Sequence, residues 1–264
     1  LPIPANPPCP DGSECAMAHA CDPLIPYSPP ILNEEWNSNG SFRIFSSPNL
    51  IDLNKDGTLD IVNGMGIEEE EIGAVIALDG VNGTHLWQSN ANAELFATAQ
   101  FYDLNKNGQE DVIIGGRSHQ LLAIDGTTGE TIWTFDEANQ GSDSSVQNWF
   151  QFYTGQFIGD RNGDGIDDWL TSNGGDPSKG PGEPRDNGFI MIISGATGEI
   201  LSFAPTPDNK ETYMSPIIFQ PHPEMETEIL FGTGGETFSG SLWSTSIQAI
   251  ESGDISDSIM LIEQ

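Results

Sequence analysis

"DLNKDGTLDIV", residues 52–62, sets three carboxylates, an Asn and a Gly in front of a short apolar run. The pattern returns twice in the same register, as "DLNKNGQEDVII" from Asp103 and "DRNGDGIDDWL" from Asp160. Aligned on their ninth positions, Asp60, Asp111 and Asp168, the loops run into "DIVNGMG", "DVIIGGR" and "DWLTSNGG". A fourth copy, "EILFGTGG" from Glu228, keeps the strand and glycines, and the successive intervals are 51, 57 and 60 residues. Periods of this size with only strand-like segments between them mark a repeat architecture.

Each unit carries a second recurring piece: "AVIALDGVNGTHLWQ" at 74–88, "LLAIDGTTGETIWTF" at 121–135 and "IMIISGATGEILSF" at 190–203. Each reads as strand, tight glycine turn, strand. With the runs entering and leaving the acidic loop, a unit holds four strands. Four antiparallel sheets that cannot each bury two faces alone are expected to stack face to face around an axis, as an all-β propeller of four-stranded blades. No window of eleven residues keeps a helical period. The units run over about 45–94, 95–149, 150–212 and 213–250, and 251–264 reads as the start of a further strand or blade. Four blades are at the lower limit of propeller size. A larger ring, completed by further chain or by a second chain, is the expectation.

Residues 1–40 are different. Their first thirty are too rich in Pro for a helix or central strand, which makes this an irregular segment. Cys9, Cys15 and Cys21 all lie here. One disulfide with a third Cys left over fits an oxidising compartment, while His19 between Cys15 and Cys21 leaves a metal reading open. In unit three, "SNGGDPSKGPGEPRDNG" at 172–188 is loop by composition and is expected to be exposed.

The formal net charge is -32, from 40 acids against 8 Lys plus Arg. Nucleic acid and anionic membrane surfaces are therefore not expected as partners, since no basic stripe exists to neutralise phosphates. No apolar run of membrane-spanning length is present. Only eight of the forty acids are aligned in the three loops, so most of the acidity serves the wider surface.

At positions one, three, five and nine the loops place Asp52, Asn54, Asp56 and Asp60; Asp103, Asn105, Asn107 and Asp111; and Asp160, Asn162, Asp164 and Asp168. A hard cation such as Ca2+ takes about six to eight oxygens, some from carbonyls. The position-seven carbonyls of Thr58, Gln109 and Ile166 are natural additions, with Gly57, Gly108 and Gly165 where the chain turns sharply. The competing reading is a set of turns whose side chains bond their own backbone. Three copies in one register favour three structural Ca2+ sites. Loop two, with Asn107 in place of an acid, is expected to bind weakest. The fourth copy places Gln220, His222, Glu224 and Glu226 among Pro221 and Pro223 without the turn glycine, so no calcium is expected there.

These loops resemble the calcium-binding loops of the FG-GAP, integrin-alpha-like family and the related VCBS-type propeller repeats, over about residues 45–250. The resemblance implies extracellular or cell-surface blades, with calcium between the first two strands and roles in adhesion, recognition or carbohydrate binding. A periplasmic location is a further option. "ALDGVNGTHLW" and "AIDGTTGETIW" are similar to the tryptophan-docking turns of quinoprotein propellers. That likeness implies a packing role for Trp87 and Trp133, tying one blade to the next. Unit three departs from it, with Ser194 and Ser202 at the Asp and Trp positions.

Three functions follow. The first is an exported, calcium-stabilised module that recognises or scaffolds a protein or polysaccharide, for which Trp149, Phe150, Phe152 and Tyr153 offer either core packing or a stacking surface. The second is a propeller enzyme, a quinone-dependent dehydrogenase or polysaccharide lyase, although no nucleophile, base and orienting residue recur together. The third is a subunit of a surface filament.

Overall fold

The computed structural model describes residues 43–263 except 69, 140–149, 176–178, 181, 221, 223, 225, 236 and 237. The described residues all fall in one compact unit, Ser38–Gln264. Cys9, Cys15, Cys21, His19 and Trp149 lie outside them, and with these the disulfide and thiol–metal readings.

Four antiparallel sheets follow one another along the chain, each with its strands in sequence order. The first holds β1 (Asn49–Ile51), β2 (Asp60–Gly66), β3 (Gly73–Leu78) and β4 (His85–Ala91). The second holds β5 (Gln100–Tyr102), β6 (Asp111–Gly115), β7 (Leu121–Ile124) and β8 (Thr131–Thr134), followed by a single turn, α1 (Phe135–Ala138). In the third, β10 (Gln156–Phe157), β11 (Trp169–Gly174), β12 (Phe189–Ile193) and β13 (Ile200–Pro205) are joined by a short β9 (Gln151–Phe152) on β11. The fourth holds β14 (Ile217–Phe219), β15 (Glu228–Gly232), β16 (Ser241–Ser246), helix α2 (Ile247–Ser252) and β17 (Ile259–Glu263).

The inner strands bury both faces, which is why they read as unbroken apolar runs. In β6, Val112 and Ile114 pack toward the first sheet with Val62, Val75 and Trp87. Ile113, on the other face, packs toward the third with Trp169 and Met191. Ile190 and Ile192 then meet Ile229, Phe231 and Trp243 of the fourth. Among the described residues, buried hydrophobic clusters join sheets one to two, two to three and three to four, and none joins four to one.

The tryptophan turns fasten these layers. Trp87 donates its indole N–H to the Gly126 carbonyl of the second sheet at 2.8 Å, and Trp133 donates to Gly195 of the third at 2.9 Å. Gly129 and Gly198, in left-handed conformations at φ 75° and 76°, lie against those rings. A bulge interrupts the outer strand pair at the matching place in the first three sheets, Ala77/Leu78, Ala123/Ile124 and Ile192/Ile193, and two residues earlier, at Leu242/Trp243, in the fourth.

Two expectations are corrected. Residues 251–264, expected to start a further strand or blade, do hold a strand, β17, which pairs antiparallel with β16 and completes the fourth sheet instead of opening another blade. The signal missed was helical. Ser246 caps α2 by accepting from the Ala249 N–H, and Gly253 ends it at φ 77°, turning the chain back along β16. The insertion at 172–188 is not uniformly exposed either. Ser172 and Asn173 are buried in β11, and Arg185 has only 7% of its side chain accessible.

Val62 pairs with Ala77 and Ala77 with Trp87; Ile113 pairs with Ala123 and Ala123 with Trp133; in the fourth sheet Leu230 pairs with Ser244 and Ser244 with Ile259. Ile259 therefore stands where a docking Trp would, yet is 64% exposed while Trp87 is 8% exposed. Met260, Leu261 and Ile262 are exposed as well. Among the described residues no helix is long and apolar enough to cross a membrane.

Candidate functional site

The acidic loops are the β1–β2, β5–β6 and β10–β11 connections, so all three emerge at the same strand ends as the tryptophan turns. Each folds on its own oxygens. Asp52 accepts from the N–H groups of Asp56 and Gly57, Asn54 from Asp56, and Asp56 from Thr58, at 2.7–3.1 Å. Loop two repeats this: Asp103 accepts from Asn107 and Gly108, Asn105 from Asn107, and Asn107 from Gln109. In loop three Asp160 accepts from Gly163 and Gly165, Asn162 from Asp164, and Asp164 from Ile166. The turn glycines have φ of 89°, 82° and 87°. Position four is left-handed too, at Lys55, Lys106 and Gly163, a requirement that the repeat did not reveal.

The ninth-position acids do something else. Asp60, Asp111 and Asp168 are fully buried. Asp60 accepts from the N–H groups of Leu53 and Asn54 through one oxygen and from Gly80, in the tryptophan turn, through the other. Asp111 takes Leu104, Asn105 and Gly126, and Asp168 takes Arg161 and Gly195. These carboxylates staple loop to turn. Burial raises the pKa of Asp111 and Asp168 above the ordinary carboxylate value, against the N–H donors that lower it. Exposed Asp160 is shifted the other way, first by the Gly165 N–H.

The tryptophan turns also bring polar groups that the repeat did not single out as site residues. Asp79 accepts from the Asn54 amide at 3.3 Å, and Asp125 accepts from Asn105 at 2.9 Å and Asn107 at 3.2 Å. Asp125 is held below the ordinary range: burial opposes this, and the Thr128 N–H and O–H, Thr127 N–H and Asn105 amide outweigh it. Ser194 is the counterpart beside Asp164. Neighbouring loops are linked as well, Lys55 donating to the Gly108 carbonyl at 3.0 Å and Gln109 to the Asp52 carbonyl at 3.3 Å.

Among the described residues no three His, Cys, Asp or Glu are gathered as a metal group. The donor set still has capacity at positions one, three and five, because a carboxylate offers about four acceptor sites and an Asn amide oxygen about two, and the bonds above use one or two of the former and one of the latter. Asp111, with four donors including the Asn105 amide, is saturated. The fit to a hard cation is therefore through Asp52, Asn54 and Asp56 and their equivalents, the carbonyls of Thr58, Gln109 and Ile166, and Asp79 or Asp125, joined at the ninth position by Asp60 and Asp168, which have three and two donors and so keep acceptor sites that Asp111 lacks. In the fourth copy, His222 accepts from the Glu224 N–H at 3.5 Å, and Glu228 contacts Ser244. Phe150, Phe152 and Tyr153 are buried, so the described part of the aromatic run is core and not a stacking surface.

Repeated four-stranded sheets packed face to face and pinned by tryptophan turns define a β-propeller protein. The sequence matches the FAM234A/B beta-propeller family over residues 69–255, and the chain belongs to that family. Among curated proteins, none matches it in sequence. Similar solved structures include BamB from Moraxella catarrhalis, 16% identical over 81% of this chain and 50% of that one, with a TM-score of 0.50. Quinohemoprotein alcohol dehydrogenase ADHIIG from Pseudomonas putida HK5 is 14% identical over 87% of this chain and 36% of that one, also with a TM-score of 0.50. The chain thus spans half or less of the length of these structures, and the likeness is one of fold alone.

Proposed function

We propose that this chain is an exported, calcium-stabilised propeller module of the cell surface, extracellular space or periplasm, serving as a recognition, adhesion or structural scaffold. The observation that carries this reading is the threefold recurrence of an oxygen-lined loop with left-handed glycine, each facing a polar group of the β-turn in its own sheet, Asp79, Asp125 or Ser194. Bound Ca2+ would offset the repulsion among the loop carboxylates and lock the entrance to β2, β6 and β11. Asp125 supplies loop two with the charge that Asn107 lacks, which narrows its expected disadvantage against loop three, where Ser194 is the counterpart, but not against loop one, which has Asp79. No calcium is assigned to the copy at 220–228.

The partner is a protein or polysaccharide. A second chain that continues the ring is supported by the exposed apolar strand β17, with Ile259 in place of a Trp at the docking position. Elemental analysis after mild dialysis is expected to find three Ca2+ per chain. A chelator should lower the melting temperature, because a ligand at a hundredfold its Kd adds about 2.7 kcal/mol per site. Asp164→Ala should lower it more than Asn107→Ala. No retained calcium together with an unchanged melting temperature in chelator refutes the reading.

A further inference from the structure

Within the repeat, the first sheet departs from the second and third at one corner. The turn joining its two outer strands reads "DGVNGT" at 79–84, where its siblings read "DGTTGE" at 125–130 and "SGATGE" at 194–199. Asn82 thus stands in the place of Thr128 and Thr197, and Thr84 in that of Glu130 and Glu199.

The turn does not require either change. All three close alike, the N–H groups of Gly83, Gly129 and Gly198 each donating to the carbonyl of the turn's first residue at 2.8 Å, with φ of 72°, 75° and 76°. The residue before the glycine accepts from the N–H two positions on. Thr128 Oγ1 accepts from Glu130 at 3.2 Å and Thr197 Oγ1 from Glu199 at 3.3 Å, while Asn82 Oδ1 accepts from Thr84 at 2.8 Å. A hydroxyl therefore serves the turn as an amide does. What the amide adds is Nδ2, which has no hydrogen-bond partner among the described residues.

That nitrogen is on display, since Asn82 and Thr84 are both exposed. Asn-Gly-Thr is moreover the acceptor pattern for N-linked glycosylation. Beside it are two exposed apolar side chains, Val81 at 58% and Leu59 at 57%. Gly80 brings their segments together, packing so closely on Leu59 that an added Cβ would lie 2.0 Å from its carbonyl oxygen. The siblings carry Thr127 with Glu110 and Ala196 with Asp167 at these places, so the apolar pair belongs to the first sheet alone among the three. A sugar attached at Asn82 would find an apolar ledge for its C–H face.

We propose that Asn82 is the acceptor of an N-linked oligosaccharide. In the transfer, Nδ2 attacks C1 of a sugar carried on a polyprenyl pyrophosphate. The C1–Nδ2 bond forms as the C1–O bond breaks, the bonding pair leaves with the pyrophosphate, and that group takes the Nδ2 proton. Thr84 supplies the hydroxyl that completes the acceptor pattern, which Glu130 and Glu199 lack. The inference rests on the reading of the chain as exported and needs no calcium.

The full chain, directed into a eukaryotic secretory pathway by a leader peptide and collected from the medium, is mapped by glycopeptide mass spectrometry. The Asn82 peptide is expected to carry N-acetylhexosamine and hexose that peptide N-glycosidase removes. Mapping must be site-resolved, because Asn39-Gly40-Ser41, outside the described residues, is a second such triplet. Thr84→Glu restores the sibling residue and should lose the glycan at Asn82, whereas Thr84→Ser should keep it. After deglycosylation Thr84→Glu and parent should melt together, which separates loss of the acceptor pattern from loss of the fold. An Asn82 peptide recovered only unmodified, or as fully glycosylated in Thr84→Glu as in the parent, overturns the proposal. Secretory routing is imposed here, so failure removes only this site. The export reading falls separately, if the chain is found in the cytoplasm of its source cell.

Discussion

Replacing Gly198 by Ala tests whether one blade is held to the next through the tryptophan turn. Gly198 sits at φ 76°, and an added Cβ would lie 2.5 Å from Trp133 Cε3 and 2.8 Å from Cδ2. Gly182 is the control, at φ 84° with nothing among the described residues within 4 Å of an added Cβ. Both substitutions incur the left-handed penalty of about 1–2 kcal/mol, and both recover about 0.4–1 kcal/mol through a less flexible unfolded chain. These terms cancel in the comparison. What remains is the collision with a buried indole whose own hydrogen bond fixes it, an overpacking cost of about 1–3 kcal/mol. For a chain of this size each kcal/mol moves the melting temperature by about 2–4 °C, so Gly198→Ala should melt about 2–12 °C below Gly182→Ala. In a Trp133→Leu background the ring is gone and the gap between the two should close, the coupling expected of groups in contact. Equal melting temperatures in the parent background, or a gap that survives Trp133→Leu, would refute the reasoning.

The ninth-position staple and the loop electrostatics give two further tests. Asp168→Ala leaves the Arg161 and Gly195 N–H groups without their acceptor and should cost about 2–5 kcal/mol in urea unfolding, equally with and without chelator; a loss that disappears in chelator would make Asp168 a ligand instead. In calcium-free protein, carboxyl NMR titration should place Asp168 above the ordinary aspartate value and Asp160 below it. The signs follow by linkage: Asp168's contribution is present below its unfolded pKa and lost as pH rises through its raised folded value, while Asp160's is present above its unfolded pKa and lost as pH falls through its lowered one. The reverse order of the two titrations would contradict the burial argument.

The sequence alone determined the blades. A side-chain period of two, a Gly at each left-handed turn and a repeat of 51 to 60 residues are local properties, so the four sheets, the acid loops between first and second strands and the packing role of Trp87 and Trp133 were legible before any coordinates. It could not show β17, because the strand's pairing is set by the reversal that Ser246 and Gly253 impose through α2, and an apolar run at a chain's end carries no mark of its partner. Nor could spacing separate the ninth acid from the other three. Asp60, Asp111 and Asp168 differ from Asp52, Asp103 and Asp160 only in what lies behind them, the Gly80, Gly126 and Gly195 N–H groups, 15 to 27 residues away in the chain. Tertiary structure also decided the fate of Arg185, which composition assigned to an exposed insertion. A buried charge is permitted only where another segment supplies its counterpart, and Glu211 and Tyr213 come to it from the next connection of the fold.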